Sequence, residues 1–161
     1  MILYDSKIVL MFKEILGKIW RAAPRFLRLK AIRVTQKKFT ASAAAIITDE
    51  LGKVLLLDHV WRAGSGWGYP GGFLEYDEQP EEAIRRELRE ETGLELKNVR
   101  LVRARIINRH IEFLFRAEAE GTAEVKSREI NRLDWFAPDD MPEKMNKIQK
   151  SLVKKVLDEE I

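Results

Sequence analysis

The sequence predicts a mixed α/β layered domain preceded by a basic helical extension. Three observations carry that reading. Five segments have the length and composition of strands. A helix with clear start and stop signals stands among them, and an amphipathic helix closes the chain. In chain order, "SKIVLMFKEILGKIWRAAP" sets Ile8, Phe12, Ile15, Leu16 and Ile19 at helical spacing with Lys and Arg between them. Pro24 ends or kinks that helix, and a second short basic helix, "RFLRLKAIRV", follows. The domain proper begins near Phe39, so residues 1–38 are read as the extension and 39–161 as the domain. "FTASAAAIITD" and "KVLLLDHVW" are strands joined by the turn "DELG". The glycine-rich loop "AGSGWGYPGG" leads into a helix over residues 81–92, with Pro80 in its first turn and Gly93 as its stop. "LKNVRLVRARIINR", "IEFLFRAEAEG" and "EINRLDWF" are strands, and "PEKMNKIQKSLVKKVLDEE" is the last helix.

A chain of 161 residues suits one domain with its own core. No apolar run reaches the roughly 20 residues needed to span a bilayer, and "IVLMF" is interrupted by Lys13 and Glu14 before it resembles a secretion signal. The absence of cysteine rules out disulfides and thiolate metal sites and suits a cytoplasmic protein. With His59 and His110 as the only imidazoles, a zinc centre is disfavoured. Charge is unevenly spread. Residues 1–38 hold ten Lys or Arg against Asp5 and Glu14, a net +8, while the remainder carries a net −5.

The stretch "PGGFLEYDEQPEEAIRRELREETGL" gathers eight acidic residues between Glu75 and Glu91 against three arginines. With Glu87 at zero and about 100° per residue, Glu91 falls at about 40° and Glu90 at about 300°. Ala83, Ile84 and Leu88 fall at about 320°, 60° and 100°, while Glu82, Arg85 and Arg89 cluster on the opposite side. The outer charges form a solvated face, with Glu81–Arg85 and Glu82–Arg86 as i,i+4 pairs. Glu87, Glu90 and Glu91 share the core-facing side, where desolvation and mutual repulsion oppose them. They are protonated, paired with arginine, or bound to a cation. An oxygen-rich donor set favours a hard ion, Mg²⁺ with Mn²⁺ as substitute. A salt-bridged structural helix is the competing reading.

The same residues carry a resemblance. Gly72, Glu78 and then "RELREETGL", at the observed spacing, resemble the Nudix box, every fixed position of which is filled by Gly72, Glu78, Arg86, Glu87, Leu88, Glu90, Glu91, Gly93 and Leu94. "WGYPGG" ahead of it and "EINRLDWFAPDDMP" after it are similar to flanking segments of that family, so the likeness covers about 39–145. The resemblance implies an α/β/α sandwich with a mixed sheet and hydrolysis of a nucleoside diphosphate linked to another group. It implies Glu87, Glu90 and Glu91 as metal ligands, joined by the main-chain carbonyl of Gly71. Glu78 and Arg86 would hold the box in shape, Arg86 also orienting a glutamate. A further acid outside the box often assists in the family; Glu112, Glu129 and Glu118 are the candidates. No proline lies between Pro80 and Pro138 and no tyrosine follows Tyr76, which departs from the marks of ADP-ribose and dinucleoside polyphosphate enzymes. The expected substrate is therefore a nucleoside triphosphate, damaged ones included, with ADP-ribose or a nucleotide sugar as the alternative. A non-catalytic nucleotide-binding module is the alternative of another class, and the retained box glutamates oppose it.

Other signals weigh less. "GWGYPG" fits a dinucleotide fingerprint but contains proline and does not open a helix. Ser65 lacks nucleophile-elbow spacing. Arg62 and Trp67 are candidate substrate contacts, Trp61, Tyr69 and Phe73 are loop aromatics, and His59 and His110 are read as closing strands. The basic extension packs on the body or at a homodimer interface in the plainest reading. Membrane-surface or nucleic-acid contact through 1–38 is the other expectation.

Overall fold

The computed structural model describes residues 6–62 and 66–159. Ser65, the start of the glycine-rich loop and the predicted end of the last helix at residue 160 lie outside the described residues. The chain divides into two compact units, 1–38 and 39–161.

In the first unit, α1 (Ser6–Ala22) and α2 (Arg25–Thr35) are separated at Pro24, which cannot continue a helix from the preceding turn. No residue of α2 is buried.

The second unit is built on a seven-stranded mixed sheet. Its strands are β1 (Thr40–Thr48), β2 (Val54–His59), β3 (Trp67–Gly68), β4 (Gly71–Phe73), β5 (Glu95–Ile107), β6 (His110–Glu120) and β7 (Ile130–Phe136). The backbone of the sheet runs β3-β2-β1-β6-β5, with β4 on β1 and β7 on β2. β1 lies parallel to β6 from Thr40↔His110 to Thr48↔Glu118. Along its other edge it divides its partners. Ser42, Ala43 and Ala44 pair antiparallel with Phe73, Gly72 and Gly71, and Thr48 pairs with Val54 of β2. β4 therefore leaves the sheet where the acidic segment begins.

Two helices cover the sheet, α3 (Pro80–Thr92) and α4 (Lys147–Asp158). Ala43, Ala45, Ile47, Leu55 and Leu57 pack with Ala83, Ile84 and Leu88 of α3. Ala44, Ile46, Val54 and Leu56 turn the other way, onto Leu152, Val153 and Val156 of α4 with Met141 and Met145. Both sheet faces are covered, so "AAAII" and "VLLL" read as continuous apolar runs rather than alternating ones. This is the expected α/β/α sandwich. Two details differ from the sequence reading. The last helix starts at Lys147, not Pro142, because the Asn146 side chain accepts from the Ile148 N–H and sets the cap there. The glycine-rich loop also contains the short strands β3 and β4.

Candidate active site

The site grows from the first turn of α3. Gln79 and Glu82 form a reciprocal capping box, with Glu82 accepting from the Gln79 N–H at 3.0 Å. This corrects the predicted Glu82–Arg86 pair: the Glu82 carboxylate is committed to the helix end. Arg86 turns instead toward the loop. Its Nε and Nη2 donate to the two oxygens of Glu78 at 2.8 and 3.0 Å, and Nη2 also reaches the Phe73 carbonyl at 3.2 Å. Nη1 donates to Glu87 Oε1 at 3.0 Å and stands 3.5 Å from Glu90 Oε2. Glu78 in turn accepts from the Glu75 N–H at 2.8 Å. One guanidinium thus ties β4, the loop and the acidic face of α3 together. Its hydrogen bonds hold the Glu78 carboxyl below its ordinary value. The predicted Glu81–Arg85 pair is present at 2.8 Å.

The three glutamates on the inner side of α3 differ in depth. Glu91 is 6% exposed, Glu87 is half-buried and Glu90 lies at the rim, exposed. Burial pushes the Glu91 carboxyl up to about 8, and the charge of Glu87 adds to the shift. Glu87 is also raised, by burial first, against the opposing pull of Arg86. Glu91 Oε2 is buried without a hydrogen-bond partner among the described residues. A Cβ at Gly72 would collide with the Glu87 carboxylate, and one at Gly71 would come within 2.6 Å of the Ala43 carbonyl. Only glycine admits that approach of main chain to carboxylate. Among the described residues, no three His, Asp or Glu side chains stand in ion-holding geometry. Glu87 is drawn to Arg86, and mutual repulsion separates like carboxylates that lack a counter-charge.

The remaining candidates sort by position. Glu129, exposed in the loop before β7, lies near enough to raise the pKa of both Glu87 and Glu91. Glu112 stands on β6 opposite Ser42 and accepts from Arg105 at 2.7 Å. Glu118 is not brought to the site. It sits at the far end of β6, opposite Thr48, and accepts from Asn98. Trp67 is buried, with Phe136 edge-on at 5.1 Å and the Arg132 guanidinium 4.9 Å from its centroid, so its ring belongs to the core. Arg62 is partly buried, its Nη1 has no partner among the described residues, and its charge reaches Glu91 and Glu112.

Two residues were missed. His59 Nδ1 lies 4.0 Å from Glu91 Oε1, and burial followed by the charge of Arg62 lowers its pKa to about 4, so the ring is neutral. It shares strand parity with Leu55 and Leu57, which face α3, and that alternation was the available signal. Gln149 Oε1 is buried and unpartnered; it and the Arg62 guanidinium carbon each lie 2.8 Å from where a Cβ of Gly68 would stand. Its signal was a polar residue three and four positions before Leu152 and Val153, on the inner stripe of α4. His110, by contrast, is held between the Thr40 and Ser42 hydroxyls at 2.8 and 2.7 Å.

A mixed sheet between two helices, with an acidic helix face set against a bare glycine strand, makes this an α/β/α sandwich domain with carboxylates gathered at one end of the sheet's glycine strand. The family model described as NUDIX domain matches residues 38–156. The chain is 33% identical over 112 residues to a MutT-like protein of Streptomyces ambofaciens, covering 68% of this chain and 71% of that one. It is 37% identical over 68 residues to an 8-oxo-dGTP diphosphatase of Proteus vulgaris, covering 41% of this chain and 61% of the relative. The crystal structure of a MutT NUDIX hydrolase from Burkholderia pseudomallei superposes with a TM-score of 0.66 at 26% identity, over 74% of this chain and 99% of that one. The chain belongs to the Nudix family and is a Nudix hydrolase.

Proposed function

We propose that this protein hydrolyses a nucleoside triphosphate, oxidised forms included, to the monophosphate and pyrophosphate with a divalent cation. The observation that carries the reading is Glu91, a buried carboxylate with an unpartnered oxygen beside Glu87 and the bare glycine strand. Buried charge without a partner is strongly disfavoured, and the neighbouring donors are oxygens, which suit Mg²⁺ with Mn²⁺ as substitute. The likeness to an 8-oxo-dGTP diphosphatase supports the substrate class, as does the absence of proline between Pro80 and Pro138.

In this reading Glu87, Glu90 and Glu91, with the Gly71 carbonyl, would hold the cation. The chemistry supplied by such an ion is neutralisation of phosphate oxygens and a lowered pKa for the attacking water. Arg86, locked by Glu78, fixes the Glu87 carboxylate before substrate arrives, so little reorganisation accompanies reaction. Arg62 offers an unused buried N–H to an anionic phosphate oxygen. Gly71 and Gly72 leave room for the neighbouring β1 main chain and for the Glu87 carboxylate, which a Cβ at either position would displace. Water would attack one phosphorus of the bridge and give up a proton to solvent, the bond from that phosphorus to the bridging oxygen would break, and the leaving group would depart with that oxygen and the bonding electron pair.

Product chromatography tests this. Protein with Mg²⁺ meets a pool of nucleoside triphosphates, oxidised triphosphates, nucleotide sugars, ADP-ribose and dinucleoside polyphosphates, with Glu91→Gln alongside. Conversion of triphosphates to monophosphate and pyrophosphate, lost in the variant, is expected. Consumption of ADP-ribose or a nucleotide sugar in preference overturns the substrate class, and full activity in Glu91→Gln overturns the role of that carboxylate.

A further inference from the structure

Among the described residues, the two helices of the first unit expose their large apolar side chains. On α1, with Ile8 at zero and about 100° per residue, an arc about 180° wide carries Ile8, Phe12, Ile15, Leu16 and Ile19, with Trp20 at one edge. Lys13, Lys18 and Arg21 occupy the other half, where Leu10 is the one large apolar exception. The apolar arc is open, Phe12 at 62% exposed and Ile19 at 61%. Phe26 and Ile32 of α2 are exposed as well, and α2 buries nothing. Residues 15–38 contain eight Lys or Arg and no acid.

We propose that α1 and α2 form an in-plane docking surface for an anionic phospholipid bilayer. A half-apolar helix with basic residues along its other half lies in the headgroup boundary, its apolar side against the acyl chains and its cations on lipid phosphates. Among the described residues no helix is long and apolar enough to cross a membrane, so the helices lie on the surface rather than span it. The charge argues against the other occupants. A second copy would set one acid-free basic segment against another, with Asp5 and Glu14 of the extension to offset ten Lys or Arg. A nucleic-acid backbone would answer the cations and leave the wide aliphatic arc of α1 in water.

Flotation of the full chain with vesicles decides the matter. Vesicles of phosphatidylcholine alone are compared with vesicles containing phosphatidylglycerol, at low and high salt. Partitioning onto the anionic vesicles should exceed that onto neutral ones by at least about tenfold and should weaken as salt screens the charges. Phe12→Glu with Ile19→Glu should abolish it, and Lys18→Ala with Arg21→Ala should reduce it several-fold. Circular dichroism and nucleotide hydrolysis of each variant report on folding. Equal or absent binding to the two vesicle types overturns the proposal. So does binding to an RNA homopolymer in place of vesicles, or light scattering that shows a dimer which the Phe12→Glu, Ile19→Glu variant dissociates.

Discussion

Glu91 sets stability against function within a single side chain. Its carboxyl titrates at about 8 in the folded chain against an ordinary 4.5. The folded state then binds more protons than the unfolded one, so the contribution is complete below about 4.5 and is lost as pH rises through about 8. Metal-free protein should therefore lose thermal stability from about pH 5 to pH 9. Glu91→Gln removes the buried charge and should flatten that slope, with a melting temperature at pH 9 on the order of 5 °C above wild type. The same variant should lose at least about 100-fold in kcat. Melting curves across pH with chelator, beside hydrolysis rates, check both halves, and a wild-type slope retained in Glu91→Gln would sink the argument. Gly72→Ala acts through a neighbour instead. Its methyl displaces the Glu87 carboxylate, so hydrolysis should fall at least about tenfold while the melt shifts little. At this scale a helical wheel reports that Glu87, Glu90 and Glu91 share a face, whereas the tie from Arg86 to Glu78 and Glu87 was expected only from the resemblance to the Nudix box. The depth of each glutamate was not legible: Glu90 and Glu91 are adjacent, yet one is exposed and the other buried, and the segment between β6 and β7 reaches the end of α3, its Lys126 N–H donating to the Glu91 carbonyl at 2.9 Å. That contact joins residues too far apart in sequence for a periodic pattern to register.

The elements themselves were largely written in local chemistry. α3 starts and stops where Pro80 and Gly93 place it, and Gly93 adopts the left-handed conformation with φ 74°. The capping box at Gln79 and Glu82 was not read, since the sequence also offers Glu82 an arginine partner four residues on, at Arg86. Glu82→Ala should therefore destabilise the domain by about 1 kcal/mol, roughly 2–4 °C in melting temperature. An unchanged melt would mean that the exposed carboxylate contributes nothing to the cap. β3 and β4 had no local signal. Strands of two and three residues exist only because β2 and β1 offer their edges to them, and that pairing is a tertiary fact. The start of α4 failed for a related reason: "PEKMN" has helical composition, but Met141 and Met145 are claimed by the core beneath the sheet and the chain turns there before the helix begins.

At the scale of the whole molecule, composition had already divided the chain, because net charge changes sign between residues 1–38 and the rest. The fold of residues 39–161 closes its own core: both apolar clusters, the capping box and each site residue from His59 to Gln149 belong to that unit. The hydrogen-bond partners of Arg86 and the charges of Arg62, Glu87, Glu90 and Glu129 that act on Glu91 come from within residues 39–161. Residues 39–161 alone should therefore fold and hydrolyse nucleotide with kcat and KM within about twofold of the full chain in free solution, since unfolding free energy resides in the packed core that is kept. A membrane surface separates the two proteins again. On anionic vesicles the full chain should be concentrated at the surface and the truncated one should remain in the supernatant with its activity intact. Circular dichroism, hydrolysis in solution and hydrolysis after vesicle sedimentation measure the three quantities on the same pair of proteins. Failure of the short chain to fold would show that α1 or α2 completes the core. Loss of activity in a folded short chain would give the basic helices a part in substrate capture, through the attraction of their positive charge for a polyphosphate.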